Sequence, residues 1–187
     1  MAGHPNPNYY LSDHYPGPRT KRLTYIQAAR LLIQAGWPKD EEILTTAVAV
    51  MNAESARDPR AYLAYVDLKV DRNSRRGLKR RAQIDALSPT MTLTTFRHAV
   101  RKIGLFRHPE VVRSDNGLFQ IGRPPYTQLT VEELMDPYEN ARFALKLYND
   151  RGFRPWAAYT TPRGDDPDPP YMRFMPYARE AVRGVLA

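Results

Sequence analysis

The stretch that most constrains this chain is residues 43–55, ILTTAVAVMNAES, an apolar helix that ends on a carboxylate. Ile43, Ala47, Val50 and Glu54 follow one another at offsets of four, three and four, one face of a 3.6-residue repeat. Glu54 therefore continues the buried stripe and not the solvated one. A carboxyl group so placed loses hydration, which favours its neutral form and raises its pKa. A general acid working near neutral pH needs that. The plainer reading is a helix-end Glu that turns to water or pairs with one of the many Arg residues, since ion pairs perturb carboxylates too. The rest of the chain has to decide between them.

At 187 residues, with 42% hydrophobic and 26% charged residues, the chain has the balance of one globular domain with attachments. No apolar run is long enough to span a bilayer. The first 22 residues lack the apolar core of a secretory signal, so the expectation is a protein made and kept in the cytosol, or one that leaves by a route other than ordinary secretion. Cysteine is absent, which excludes disulfides, thiolate catalysis and Cys-based metal sites. His4, His14, His98 and His108 form no helical pair, so neither a metal nor another cofactor is expected. The formal net charge of +8 draws anionic partners, nucleic acid or an anionic cell wall among them, without choosing between them.

Residues 1–22, rich in Pro, Tyr, Asn and His and without a period, read as an extended arm that a partner surface holds down. Thr24-Tyr25-Ile26-Gln27 is a capping box that opens a first helix with Ile26, Ala29 and Ile33 on its apolar face, stopped at Gly36. Asp40, followed by Glu41 and Glu42, caps the next helix, which runs to Glu54. Arg57-Asp58-Pro59 ends it, because the residue before a proline is pushed out of helical space.

Residues 67–113 read as a basic insertion. From Lys69 to Arg113 there are twelve Lys or Arg against three acidic residues, a local +9 that exceeds the charge of the whole chain. Its first part is a solvated run, RNSRRGLKRR, and its second a short helix from Thr92 or Thr94 to about Leu105. Beyond it, Gly117 permits a tight turn, and Gln120 offers the two donors and one acceptor that sugar recognition uses. Asp136-Pro137-Tyr138-Glu139 starts another helix, with Asn140, Ala144, Leu147 and Tyr148 on one face and Gly152 at its end. Trp156 and Tyr159 fall in a short helical turn, residues 162–170 form a stiff linker, and 176–186 is a last helix with Tyr177, Ala181 and Val185 on one side. The expected fold is all-α, about six helices with no convincing strand, and Phe119, Trp156 and Tyr159 are expected to line one cleft.

The order of these segments resembles the lysozyme-like superfamily, in its lytic transglycosylase and goose-type lysozyme branch. The resemblance rests on Ala53-Glu54-Ser55 followed by Asp58-Pro59 and Ala61, on Gly117-Leu118-Phe119-Gln120-Ile121, on Asp136-Pro137 leading to Asn140-Ala141, and on Trp156 with Ala158-Tyr159. It covers roughly residues 23–160 outside the basic insertion, and is closest to peptidoglycan-degrading domains of phage tail proteins. It implies a lysozyme-like domain over 23–187, with 1–22 as an appended arm and 162–187 as a C-terminal linker and helix. It also implies cleavage of the bond between N-acetylmuramic acid and N-acetylglucosamine, with Glu54 as the general acid and base. Ser55, Phe119, Gln120, Asn140, Trp156 and Tyr159 match substrate-binding or supporting positions.

A glycosidase with a second carboxylate needs it near the first, and Asp115 is the candidate helper near the matching motifs, although a helix or turn cap is the commoner role of an Asp so placed. The chain departs from the family at Ala56, where a Gly is usual, and at Thr160-Thr161-Pro162, where Asn-x-Gly is usual. The partners so implied are peptidoglycan glycan strands, and other virion tail proteins through the arm or the insertion. The location so implied is a phage tail acting at the host wall. Two other readings stand beside it. One is a structural tail protein on a scaffold without turnover. The other is a nucleic-acid binder built on residues 69–113, which lack the interleaved aromatics and recognition-helix pattern such a role calls for.

Overall fold

The computed structural model describes residues 9–14, 21–67, 79, 110–123, 127 and 129–187. It is mainly helical. Helix α1 (Tyr25–Gln34) begins at the Thr24 capping box, in which the Thr24 hydroxyl accepts from the Gln27 amide and the Gln27 side chain accepts in return from the Thr24 amide. Its buried face is Ala28, Ala29 and Leu32, whereas Ile26 is 46% exposed. The expected Ile26–Ala29–Ile33 stripe is thus rotated by about one residue. The tertiary partners, helices on two sides of α1, decide this.

Helix α2 (Glu41–Ser55) is the centre of the molecule. Asp40 caps it by accepting from the Ile43 amide at 2.9 Å. Every residue from Leu44 to Asn52 is buried. The single apolar stripe expected from its period is therefore too narrow a reading, because the helix is covered all round, and buried Thr45, Thr46 and Asn52 show no solvated face there. The covering comes from α1, from the short α5 (Ala157–Thr160), from a 3-10 turn (Pro170–Phe174) and from the last helix, α6 (Met175–Leu186). Helix α6 buries Ala178, Ala181 and Val182, while Tyr177, expected on that face, is 60% exposed and stacks on Tyr25. Arg179 to Glu42 at 2.8 Å and Arg183 to Glu41 at 2.7 Å tie α6 to the start of α2. Exposed pairs of this kind contribute about 0–1 kcal/mol each, so they orient more than they stabilise.

The expectation that no strand would form is overturned. Strands β1 (Tyr9–His14), β2 (Ala61–Asp67), β3 (Glu110–Asn116) and β4 (Ile121–Arg123) make one antiparallel sheet in that order. Tyr9 to His14 run against Val66 to Ala61, so part of the arm is an edge strand of the chain's own sheet. The β2–β3 ladder runs from Tyr62 opposite Asn116 to Asp67 opposite Glu110, with a bulge at Tyr65/Val66. The basic insertion therefore joins two paired strands, and its two margins belong to them. Its basic run and the helix expected between about residues 92 and 105 lie outside the described residues, Lys79 excepted.

Helices α3 (Val131–Met135) and α4 (Pro137–Arg151) complete the core. Thr130 and Glu133 form a capping box on α3, and Asp136 accepts from the Tyr138 and Glu139 amides at the start of α4. Trp37 bridges α1 to α4 by donating its indole N–H to the Ala141 carbonyl at 3.0 Å. No described helix is long and apolar enough to cross a membrane.

Candidate functional site

Glu54 lies in the last turn of α2, half-buried. The helix ends immediately after it with Ala56 and Arg57 both in the left-handed region, at φ 53° and 61°. Arg57 is held there by three contacts: its Nε donates to the Leu23 carbonyl at 2.7 Å, its guanidinium bonds the Asn52 side chain, and it lies over the Tyr25 ring at 3.9 Å. This cation is thereby kept on the α1 side of the helix end.

The Glu54 Oε1 accepts a hydrogen bond from the Ala158 amide at 3.0 Å, which ties α2 to α5. Burial pushes the Glu54 carboxyl above its ordinary range. The Ala158 hydrogen bond and the positive charge of Arg163 pull the other way, and the negative charge of Asp115 adds to the rise. The net direction is up, so the acid form of Glu54 persists to higher pH than a solvated Glu would allow. Asp115 is the second carboxylate of the site. It is a residue of β3, between Leu63 of β2 and Gly122 of β4.

Beside Glu54, residues 117–120 form a turn that the sequence makes tight and the structure clamps. Gly117 sits at φ +69°, and a Cβ there would lie 2.3 Å from the Leu134 carbonyl and 2.4 Å from the Asn140 Nδ2. Only glycine fits. Asn140 is fully buried on α4 and uses its whole amide on this turn. Its Oδ1 accepts from the Phe119 amide at 3.0 Å, and its Nδ2 donates to the Asn116 and Leu134 carbonyls, each at 2.9 Å. The Ser55 hydroxyl reaches the Leu118 carbonyl at 2.8 Å and the Met51 carbonyl at 3.1 Å, which fastens the end of α2 to the same turn. Trp156 donates its indole N–H to the Phe119 carbonyl at 2.9 Å.

These contacts sort the residues expected to touch substrate. Phe119, Asn140 and Trp156 are buried and have no surface to offer a sugar. They are corrected to supports beneath the turn, because their polar atoms and rings are taken up internally. Ser55 is half-buried, and its hydroxyl serves backbone carbonyls. Gln120 and Tyr159 keep accessible surface. Gln120, at φ 48°, donates both amide hydrogens inward, to Ala61 and Gly117 carbonyls at 3.1 and 2.9 Å. Its Oε1 takes no part in these two bonds and is the amide atom that can accept from a ligand.

The aromatic cleft expected from Phe119, Trp156 and Tyr159 is instead a continuous ring stack. Trp37, Phe119 and Trp156 follow at 5.8 and 5.5 Å, and Phe153, Tyr159 and Tyr171 at 5.3 and 4.8 Å. Phe153 joins the two runs at 6.1 Å from Trp156. Trp37, Phe153, Tyr171 and Arg163 were not legible as site residues, because nothing local marks a residue that arrives from a distant loop. No group of three or more His, Asp or Glu among the described residues is arranged to hold a metal. The arrangement can deliver one proton from a desolvated carboxyl, with a second carboxylate nearby and an amide acceptor at Gln120. No family of known proteins, no curated relative and no solved structure matches the chain.

Proposed function

We propose that the chain is a peptidoglycan-cleaving glycosidase, a lytic transglycosylase or muramidase of the lysozyme-like kind, that uses Glu54 as its acid and base. The observation that carries this reading is the state of Glu54: half-buried at the end of the central helix, fixed by the Ala158 amide, and raised in pKa chiefly by burial. Such a group can hold its proton until a glycosidic oxygen reaches it. Proton transfer to that oxygen then breaks the C1–O bond of the muramic acid residue. The Glu54 carboxylate so formed takes a proton either from that sugar's C6 hydroxyl, closing a 1,6-anhydro ring, or from a water that adds at C1. Asp115, negatively charged and close enough to raise Glu54, opposes the loss of the Glu54 proton to solvent and favours the positive charge that develops at C1. Gln120 Oε1 and Tyr159 are the groups through which the sugar is oriented.

The net charge of +8 suits an anionic wall, and a virion tail is the setting in which such an enzyme meets the wall from outside. Neighbouring tail proteins are the partners of that setting. The test is digestion of purified peptidoglycan with mass spectrometry of the products. Wild type should release muropeptides with either 1,6-anhydro or reducing ends, and Glu54→Gln should release none while keeping its circular dichroism. One observation favours a second reading, a structural tail protein on the same scaffold. Ser55, Phe119, Asn140 and Trp156 all serve the fold, and such contacts persist without turnover. Absence of product from every wall type tested would favour that reading.

A further inference from the structure

The segment that reads in sequence as a stiff linker forms one wall of a cavity against the end of α2. The cavity, of about 190 Å³, is lined by Ala53 from the turn that carries Glu54, by Arg163, Asp166 and Asp168 from the segment after α5, and by Arg173 and Phe174 from the 3-10 turn. Its charges are not mixed at random. Arg173 and Asp166 pair with each other. The charge of Asp168 reaches Tyr171, and that of Arg163 reaches Glu54. Among the described residues no carboxylate pairs with Arg163, which is itself exposed to solvent. A planar guanidinium in a cavity, with its donors uncommitted and apolar Ala53 and Phe174 beside it, is suited to a carboxylate.

We propose that this cavity is a subsite for a carboxylate carried by the substrate beside the bond that Glu54 cleaves, with Arg163 as the cation that receives it. The assignment rests on the glycosidase reading for its location, though not for its chemistry. It has a consequence for Glu54. Among the described residues the charges that reach Glu54 are those of Arg163 and Asp115, with the Ala158 amide bonded directly to it. Of these, Arg163 supplies the positive charge, and it favours the ionised form. A substrate carboxylate on Arg163 cancels that field and leaves burial and Asp115 to hold the proton on Glu54. Occupancy of the cavity thus makes Glu54 a better-protonated acid when a substrate is present to use it. In peptidoglycan the carboxylate can be the lactyl group of muramic acid or belong to the peptide stem.

The test is an NMR titration of the full chain, read at the Ala53 amide and the Arg163 Nε. The probes are N-acetylglucosamine, N-acetylmuramic acid, and N-acetylmuramyl-L-alanyl-D-isoglutamine, which carries its carboxylate on the peptide only. At least one acidic probe should bind wild type about tenfold more tightly than N-acetylglucosamine, the size expected of a charge-assisted contact. Preference for the second probe assigns the lactyl group, and for the third the stem. Arg163→Gln should bring the ratio to about one, and Arg163→Lys should restore part of it. Equal binding of all three probes by wild type, or a preference that survives in Arg163→Gln, overturns the subsite. A preference that behaves as expected in a protein that releases no muropeptides upholds the subsite and removes the turnover reading instead.

Discussion

Asn140→Leu tests the claim that a single buried amide builds the turn on which the site depends. Leu branches at Cγ as Asn does and is the larger of the two, so the substitution opens no cavity; it deletes the hydrogen bonds and adds a crowding cost of the same sign. It removes three of them, from the Phe119 amide and to the Asn116 and Leu134 carbonyls. Asn140 and Phe119 are both fully buried, so water does not simply replace the lost partners. A net hydrogen bond is worth about 1 kcal/mol, and an orphaned buried donor costs about 1–3 kcal/mol. The three losses together destabilise by about 3–5 kcal/mol, a large part of the roughly 5–15 kcal/mol that holds a domain together. Urea unfolding, followed by tryptophan fluorescence because Trp37 and Trp156 flank the turn, reads this directly. Asn140→Asp sharpens the test. It keeps an acceptor for Phe119 but aims a carboxylate oxygen at two carbonyls, so its folded-state pKa rises above the unfolded one. Its stability is then highest in acid, where the carboxyl is protonated, and falls as pH rises through the folded pKa. A Leu variant within about 1 kcal/mol of wild type, or an Asp variant indifferent to pH, would refute the reasoning.

Two further predictions follow from the same helix end. Ala56 adopts a left-handed conformation in which an L-residue is strained by roughly 1–2 kcal/mol. Ala56→Gly should therefore stabilise by about 1 kcal/mol, a rise of about 2–4 °C in Tm for a chain of this size; no rise in a thermal melt would mean the strain is relieved elsewhere. Glu54 binds its proton more tightly folded than unfolded, so its contribution is fully present below the unfolded pKa and lost as pH rises through the folded one. Glu54→Gln should accordingly melt above wild type at neutral pH and alongside it in acid, and a gap that does not change between pH 3 and 8 would contradict a burial-raised carboxyl.

The helix starts at Thr24, Asp40 and Asp136 were legible because a cap is a local device, with its donor and acceptor within three residues of each other. Gly117 was legible for the same reason, since only glycine accepts its backbone angle with so little room. Glu54 stood out by its position on an apolar repeat, and Asn140 as a polar residue on a buried stripe. What tertiary structure alone decided were pairings between distant segments. The four strands were missed because β2 and β3 meet across a long insertion and β1 comes from a segment without alternation, so no window of sequence holds both sides of a ladder. Much of the covering of α2 came from α6 and the 3-10 turn, more than a hundred residues away. The same distance hid the division of labour at the site. Whether an Asn, Trp or Ser touches a ligand or clamps a turn depends on which carbonyl lies within 3 Å, and residue type does not encode that. Arg163 and the cavity beside Glu54 belong to this second class, because a charge acts through space and the chain brings it there only by folding.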